Sequence, residues 1–139
     1  MQKFQTRSHC KLLSIAVLLP IVFTGCGTAI TYVSHPPGAI ITEIGSGTTI
    51  GTAPTTKRYN LDIDGVVDES GCFIMENVEA RWESGAMRET TQIKLCGNHL
   101  LGYEVKLPRP SSYPDLGKDE KAAEDLRFYR NKLFSVTQN

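Results

Sequence analysis

An apolar run that stops at a cysteine most strongly constrains what this chain folds into. Lys3, Arg7 and Lys11 precede the run, and no acidic residue occurs before it. The run, residues 12–23, has 12 residues, and as a helix it would measure about 18 Å, well short of the roughly 30 Å hydrocarbon layer. A positive segment, a short apolar segment and a small-residue end are typical of a secretory signal peptide. We therefore predict that residues 1–25 are removed and take no part in the folded domain.

The end of the run, "FTGC" at residues 23–26, resembles the lipobox of bacterial lipoproteins. In that motif small residues precede a cysteine whose thiol receives a diacylglyceryl group as a thioether and which becomes the first residue of the mature chain. The third position before the cysteine is usually aliphatic, and Phe23 departs from this pattern. The resemblance implies that Cys26 is lipidated and that several acyl chains hold the protein on the membrane. The alternative is conventional signal cleavage beside an incidental cysteine.

The residue after Cys26 bears on the membrane in which the protein resides. It is Gly27 rather than aspartate, and by resemblance to the sorting rule of enteric-type bacteria this implies an outer-membrane lipoprotein that faces the periplasm. The expected partners are therefore the membrane, through the anchor, and peptidoglycan, a surface polysaccharide or another envelope protein.

The chain that remains after cleavage has the size of a single domain. It has 114 residues, close to the commonest domain length. The 15 basic residues of the whole chain fall to 12 without the signal peptide, against 15 acidic residues. This slight excess of acidic residues gives no indication of a basic surface that would bind nucleic acid.

Two cysteines remain once Cys10 has left with the signal peptide and Cys26 is lipidated. Cys72 and Cys96 should pair with each other in an oxidising compartment, and the chain-entropy model gives roughly 3.5 kcal/mol for closing a loop of this length. A zinc site is the alternative, but the sequence has no C-x-x-C pair and its histidines lie outside the usual ligand spacing. We predict a disulfide, with no metal and no cofactor.

Short strands separated by turn residues dominate the pattern of the mature chain. Residues 35–38, "HPPG", and 45–47, "GSG", are typical of turns, and residues 108–115, "PRPSSYPD", of a connector. The strands are predicted at residues 29–34, 39–44, 55–63 and 100–108. We predict a mainly β fold, a small antiparallel β-sandwich-like domain at residues 26–108, followed by the connector and one α-helix at residues 109–139.

The segment between the cysteines predicts a hairpin centred on Ser84. Residues 83–85 would form its loop, with Gly85 in the left-handed conformation, so that Cys72 faces Cys96 and Glu79 faces Glu89. The apolar residues conflict with strict pairing, because they stand at even positions near the loop and at odd positions near the cysteines. We expect a β-bulge around residues 76–77 to switch the faces.

The end of the chain carries apolar residues at helical spacing, namely Ala122, Leu126, Tyr129 and Leu133. Acidic residues are concentrated early in this segment and basic residues late, in agreement with the helix dipole. The helix either docks on the sheet or stays free to bind a partner.

Residues 33–54 resemble the PEGA domain, a small β-module of bacterial surface and envelope proteins. The matching positions are Ser34, Pro36, Pro37, Gly38, Ala39, Ile41, Gly45, Gly51 and Pro54. The distance between Gly45 and Gly51 exceeds the usual spacing of that family, and Ala53 stands where threonine or serine is common. The resemblance implies a structural module or one that binds envelope polymers, with exposed turns at Pro36, Pro37, Gly38, Gly45 and Gly51 as the contact surface.

The sequence carries no motif of a known catalytic site. It lacks G-x-S-x-G and H-E-x-x-H, and no cysteine is left to act as a nucleophile. Residues 45–51, "GSGTTIG", miss the dinucleotide-binding spacing, and residues 62–71 depart from the EF-hand loop, so a solvated turn is favoured over a calcium site. We predict a non-enzymatic binding or structural module; the alternative is an accessory subunit of an envelope machine that docks through its C-terminal helix.

We expect Cys26→Ser to abolish incorporation of labelled fatty acid into the protein, because the thiol is the atom that accepts the lipid. Gel autoradiography after metabolic labelling measures this. Cys10→Ser is the matched control, since it removes a thiol from the predicted signal peptide and should label like the wild type. Equal labelling of wild type and Cys26→Ser would contradict the lipobox interpretation.

Overall fold

The computed structural model describes residues 27–97 and 102–136, so the predicted signal peptide and Cys26 lie outside the described residues. The strands are β1 (Gly27–His35), β2 (Ile40–Glu43), β3 (Thr49–Thr52), β4 (Thr55–Asn60), β5 (Val66–Val67), β6 (Phe73–Met75), β7 (Val78–Arg81), β8 (Met87–Glu89), β9 (Ile93–Leu95) and β10 (Tyr103–Pro108). The helices are α1 (Leu61–Asp64) and α2 (Leu116–Val136). A mainly β domain with one long C-terminal helix confirms the predicted fold class.

The strand β1 is the centre of the first sheet, whose order is β10-β1-β4. Its β-branched and aromatic residues suit a pleated strand, and every second side chain from Thr28 to Ser34 is buried. The pairing with β4 is antiparallel, whereas the pairing with β10 is parallel, from Ile30 opposite Tyr103 to His35 opposite Pro108. This parallel pair departs from a purely antiparallel domain. It is possible because the intervening chain forms the crossover that parallel strands require.

The predicted strand at residues 55–63 is wrong in its last three residues. The ladder ends at Asn60, and α1 follows at once. The Asp64 carboxylate accepts a hydrogen bond of 2.7 Å from the Asn60 N–H, so a short acidic side chain offers the backbone a local partner in place of the ladder.

Two further sheets, with the orders β3-β2-β7-β8 and β5-β6-β9, complete the β-domain. Their buried side chains share one apolar core with those of the first sheet, in which Ile30, Ile41, Val78 and Leu95 are fully buried. Within the described ranges, no helix is long and apolar enough to cross a membrane.

The hairpin between the cysteines has the predicted centre and the predicted disulfide. Trp82 N–H donates to the Ala86 carbonyl at 2.9 Å, and Gly85 has a φ of 86°. Cys72 and Cys96 are bonded to each other. Glu79 lies opposite Glu89, as expected, and the Arg81 guanidinium binds the Glu79 carboxylate at 2.9 Å.

The predicted bulge in this hairpin is wrong. Residues 76–78 and 90–92 separate the two paired regions, so both strands contribute equal lengths and keep one register about Ser84. In a regular strand, side chains three residues apart point to opposite faces. Because the pairing of both strands is interrupted at the same level, Met75 and Val78 are nevertheless both buried. Side chains replace the missing ladder bonds: Asn77 Nδ2 donates to the Thr91 carbonyl at 2.8 Å, and Thr90 Oγ1 accepts from Val78 N–H at 3.0 Å.

A buried ion pair fixes the start of α2 to the β-domain. The Asp119 carboxylate accepts hydrogen bonds from Ser84 N–H at 2.7 Å, Ser84 Oγ at 2.6 Å and Arg109 Nε at 2.5 Å. Arg109 also donates to the carbonyls of Tyr113 and Pro114. One guanidinium thus joins the hairpin loop, the connector and the first turn of the helix.

The first half of α2 docks on the domain, and the second half projects apolar side chains outward. Ala123 is buried and Leu126 is half-buried, and both lie close to Gly38. Tyr129 and Leu133 of the predicted apolar stripe are 64% and 69% exposed. The stripe was therefore predicted correctly only at its start, where Leu126 is half-buried.

We expect Asp119→Asn to destabilise the protein by about 3–5 kcal/mol, because it leaves the Arg109 charge buried without its counter-charge. Burial would raise the pKa of Asp119, but hydrogen bonds from Ser84 and Arg109 outweigh it and hold the pKa below its usual range. The stabilisation is therefore complete above about pH 4 and is lost as the pH falls towards the folded pKa. Urea unfolding at neutral and acidic pH measures both effects.

The matched control is Asp125→Asn, which breaks the solvent-exposed pair with Lys121 on the same helix and should leave the unfolding midpoint nearly unchanged. Equal midpoints for the Asp119 and Asp125 variants would show that the buried pair does not fix α2.

Candidate functional site

The turn after β1, which contains three of the predicted binding residues, is held rigidly by internal hydrogen bonds. The Pro36 carbonyl accepts from Ser34 Oγ and from Trp82 Nε1, both at 2.9 Å. Gly38 N–H donates to the Ala53 carbonyl at 2.9 Å. Gly38 has a φ of 105°, a conformation that residues with a Cβ rarely adopt. These hydrogen bonds hold the turn in one conformation.

Three hollows meet at Pro37, and together we call them the Pro37 groove. One of about 420 Å³ lies between the turn and the start of α2, and one of about 290 Å³ lies between Pro37, Pro54 and the middle of α2. The third, of about 500 Å³, runs along the ends of β1 and β10 and is lined by Val33, Leu107 and Pro108 among others. Pro36 and Pro37 line this groove, and they and Gly38 are half-buried. The turn is therefore less exposed than predicted, because α2 covers part of it.

Three arginines border the Pro37 groove, and they differ in what holds them. Arg109 is bonded to Asp119, and Arg130 donates to the Pro54 carbonyl at 3.2 Å. Arg127 lines both hollows beside α2, and within the described residues no hydrogen bond or ion pair occupies it. An available guanidinium beside apolar walls suits a ligand that carries a carboxylate or phosphate.

The sequence did not single out Arg127 as a binding residue. Its position late in α2 was assigned to the helix dipole, and no local pattern distinguishes it from the neighbouring basic residues. Only the fold identifies Arg127 as a candidate binding residue, because its position in the groove depends on how the Pro37 turn packs against α2.

The other two predicted binding glycines lie away from this groove. Gly45 follows β2 at its far end, and a Cβ there would lie 2.7 Å from the Glu76 carboxylate. Gly51 has a φ of 151°, and a Cβ would lie 2.9 Å from Thr55 Oγ1, so its role is close packing. The five predicted residues therefore do not form one surface: Pro36 and Pro37 line the groove, Gly38 follows them in the same turn, and Gly45 borders a different region.

That second region is a polar network, the Glu43 cluster, formed by Tyr32, Glu43, Lys57 and Tyr59. Lys57 Nζ and Tyr59 Oη donate to the Glu43 carboxylate at 2.6 and 3.1 Å, and the two tyrosine hydroxyls are 2.8 Å apart. A hollow of about 350 Å³ adjoins it, lined also by Asp64 and Glu76 among others. The cluster connects the first sheet, through β1 and β4, with β2 of the second.

The protonation states of the Glu43 cluster favour a structural role. Burial raises the pKa of Tyr32 to about 12 and raises the pKa of Tyr59 further. Burial would also raise the pKa of Glu43, but hydrogen bonds from Lys57 and Tyr59 outweigh it and lower the pKa. Both phenols stay protonated and Glu43 stays charged near neutral pH, so the cluster binds the sheets together and is poorly suited to proton transfer.

In the acidic segment at residues 62–71, the Asp68 carboxylate holds the turn between β5 and β6. Asp68 accepts hydrogen bonds from the N–H groups of Ser70 and Cys72 and pairs with Lys94 at 2.6 Å. The pairing with Lys94, with these hydrogen bonds, holds the pKa of Asp68 well below its usual range. In the part of the chain that the structure describes, no cluster of three or more side chains is arranged to hold a metal ion.

No protein-family model, curated protein or solved structure matches this chain significantly. The likenesses to the lipobox and to the PEGA domain rest on the residues quoted above and stay predictions.

We expect Tyr59→Phe to lower the free energy of unfolding by about 1–3 kcal/mol, because it removes one buried hydroxyl that serves both Tyr32 and Glu43. Chemical unfolding followed by circular dichroism measures the change. Tyr129→Phe removes a hydroxyl from a side chain that is 64% exposed and should have almost no effect. If both variants unfold at the same urea concentration, the Glu43 cluster does not stabilise the contact between the sheets.

Proposed function

We propose that this chain is a lipid-anchored lipoprotein of the bacterial cell envelope that acts as a non-catalytic binding module. The observation that carries the proposal is the position of the Pro37 groove relative to the predicted anchor. Gly27, the residue after Cys26, begins β1, and the groove lies at the other end of the same strand. The nine residues of β1 separate the two by roughly 26 Å. A lipid on Cys26 would thus hold the groove at a fixed height above the membrane.

The disulfide supports the envelope location. Cys72 and Cys96 join the open end of the hairpin, and such bonds persist in oxidising compartments such as the periplasm. We assign the protein to the outer membrane, facing the periplasm, as the residue after Cys26 implies by resemblance.

The ligand that suits the groove is an envelope polymer with acidic groups, and we propose peptidoglycan. Its stem peptides carry carboxylates, which Arg127 could bind through paired N–H groups. Pro36, Pro37 and Pro108 provide rigid apolar walls that lose little conformational freedom on binding. A surface polysaccharide with acidic sugars would satisfy the same chemistry. The PEGA-like segment at residues 33–54 agrees with this role, since members of that family are thought to bind envelope polymers.

A weak affinity for the cell wall would suffice for such a module. An anchor that confines the protein to the membrane raises its effective concentration near the polymer. A shallow groove on each anchored module is then enough, and a deep enclosed pocket is not required.

The alternative function is an accessory subunit of an envelope machine. The observation that favours it is the second half of α2, where Phe128, Tyr129, Leu133 and Phe134 are between 64% and 72% exposed. Exposed apolar side chains on one helix are typical of sites that bind a groove in a partner protein. Both functions use the end of the domain that lies away from the predicted anchor.

Sedimentation with purified peptidoglycan, and capture from an extract of envelope proteins, distinguish the two functions. We expect Arg127→Gln to weaken the affinity for peptidoglycan, measured by sedimentation, by about ten- to a hundredfold, since a charge-assisted hydrogen-bonded contact is worth about 1.5–3 kcal/mol. Arg58→Gln is the matched control, because Arg58 is an exposed arginine on β4 away from the groove.

Capture of one protein that Phe128→Ser abolishes, with no binding to peptidoglycan, would favour the accessory-subunit function. Hydrolysis of an envelope substrate that is lost on one substitution would contradict both functions, because neither includes a catalytic group.

A further inference from the structure

Three exposed aliphatic side chains follow β4 closely in the chain. Ile63 of α1 and Val66 and Val67 of β5 are 78%, 72% and 56% exposed. Successive residues of a strand point to opposite faces, so Val67 faces away from Val66, and we call Ile63 and Val66 the anchor-side patch. Valine usually occupies half-buried strands, and adjacent exposed apolar side chains mark an interaction surface.

The register of the first sheet places this patch beside the residue that follows Cys26. Gly27 is opposite Asn60 in the antiparallel pair, and α1 begins immediately after Asn60. Opposed Cα atoms lie about 4.5–5.5 Å apart and three residues span at most about 11 Å, so Ile63 lies within about 16 Å of Gly27. Gly65 packs closely on the Leu61 carbonyl, 3.1 Å from the position of a Cβ, and the chain therefore turns back before Val66.

The connection between anchor and domain leaves almost no slack. Consecutive Cα atoms are about 3.8 Å apart, and Gly27 already belongs to the ladder of β1. The headgroup region of one leaflet is roughly 5–8 Å thick. A lipid on Cys26 would therefore bring this end of the domain against the headgroups rather than suspend it on a linker.

From these observations we propose that the anchor-side patch rests on the membrane that holds the anchor, with Ile63 and Val66 inserted at the boundary between headgroups and acyl chains. The inference rests on the proposed lipidation of Cys26. It adds a second attachment, so that the domain is oriented and not merely tethered, with β1 directed away from the bilayer and the Pro37 groove held towards the cell wall.

The charges around the patch indicate which lipid surface it prefers. The Asp64 carboxylate binds Asn60 N–H, and Asp68 pairs with Lys94, while Glu69 adds a further negative charge at the adjoining turn. The patch therefore offers apolar contact without an excess of cations, and a zwitterionic surface suits it better than an anionic one.

Tryptophan quenching in vesicles tests this contact on the full lipidated protein. Val66→Trp places a reporter in the patch, and Phe128→Trp places one on α2, at the other end of the domain. The vesicles consist of phosphatidylcholine with bromine on the acyl chains near the glycerol. Since surface-bound apolar groups enter about 5–10 Å into this region, we expect about a twofold loss of the added emission for Val66→Trp and almost none for Phe128→Trp. Trp82, which is 3% exposed, supplies a constant background.

The outcomes separate this inference from the proposed function. If fatty-acid labelling is normal but Val66→Trp is quenched no more than Phe128→Trp, the patch does not touch the membrane and the anchored module stands. If the protein carries no fatty acid and leaves the vesicles, both proposals are wrong. Ile63→Trp provides a second reporter of the same surface, should Val66→Trp fail to form its disulfide or to show the far-ultraviolet circular dichroism of the wild type.

Discussion

The hydrogen-bonded ladder of β1 is the constraint on which the rest of the structure depends. This strand pairs along its length with β4 on one side and with β10 on the other. Its start is next to the predicted lipid attachment, and its end leads into the Pro36 turn, which meets Trp82, Pro108 and α2. The two ends of this strand therefore differ: the predicted anchor precedes Gly27, whereas the Pro37 groove with its bordering arginines lies at His35.

Buried polar groups fix how the other layers sit on this strand. The Glu43 cluster joins the first sheet to the second, and the Asp119 and Arg109 pair joins α2 to the hairpin loop. Burying a charge costs several kcal/mol unless hydrogen bonds and a counter-charge compensate it, and each carboxylate here has at least three donors. Such networks tolerate only one arrangement of their partners, whereas the apolar core alone would accept several. They therefore give the groove its definite shape.

Local patterns in the sequence predicted local structure well. The loop at Ser84, the pairing of Cys72 with Cys96 and the early strands follow from turn residues and alternation over short stretches. The sequence also showed that the hairpin must switch faces, but a bulge was expected because the hydrogen bonds of Asn77 and Thr90 across the gap cannot be inferred from spacing. The parallel pair of β1 and β10, the bond between Arg109 and Asp119, and the place of Arg127 join residues whose proximity only the complete fold determines.

The availability of Arg127 is itself a consequence of these distant pairings. Arg109 is committed to Asp119, and Arg130 to the Pro54 carbonyl. A rotation of α2 that moved Asp119 away from Ser84 and Arg109 would leave the guanidinium of Arg109 buried without a counter-charge. The energetic cost of that loss selects the observed orientation of α2, which buries Ala123 and places Arg127 at the Pro37 groove. The chemistry of the candidate site is therefore set by one buried carboxylate that does not itself line it.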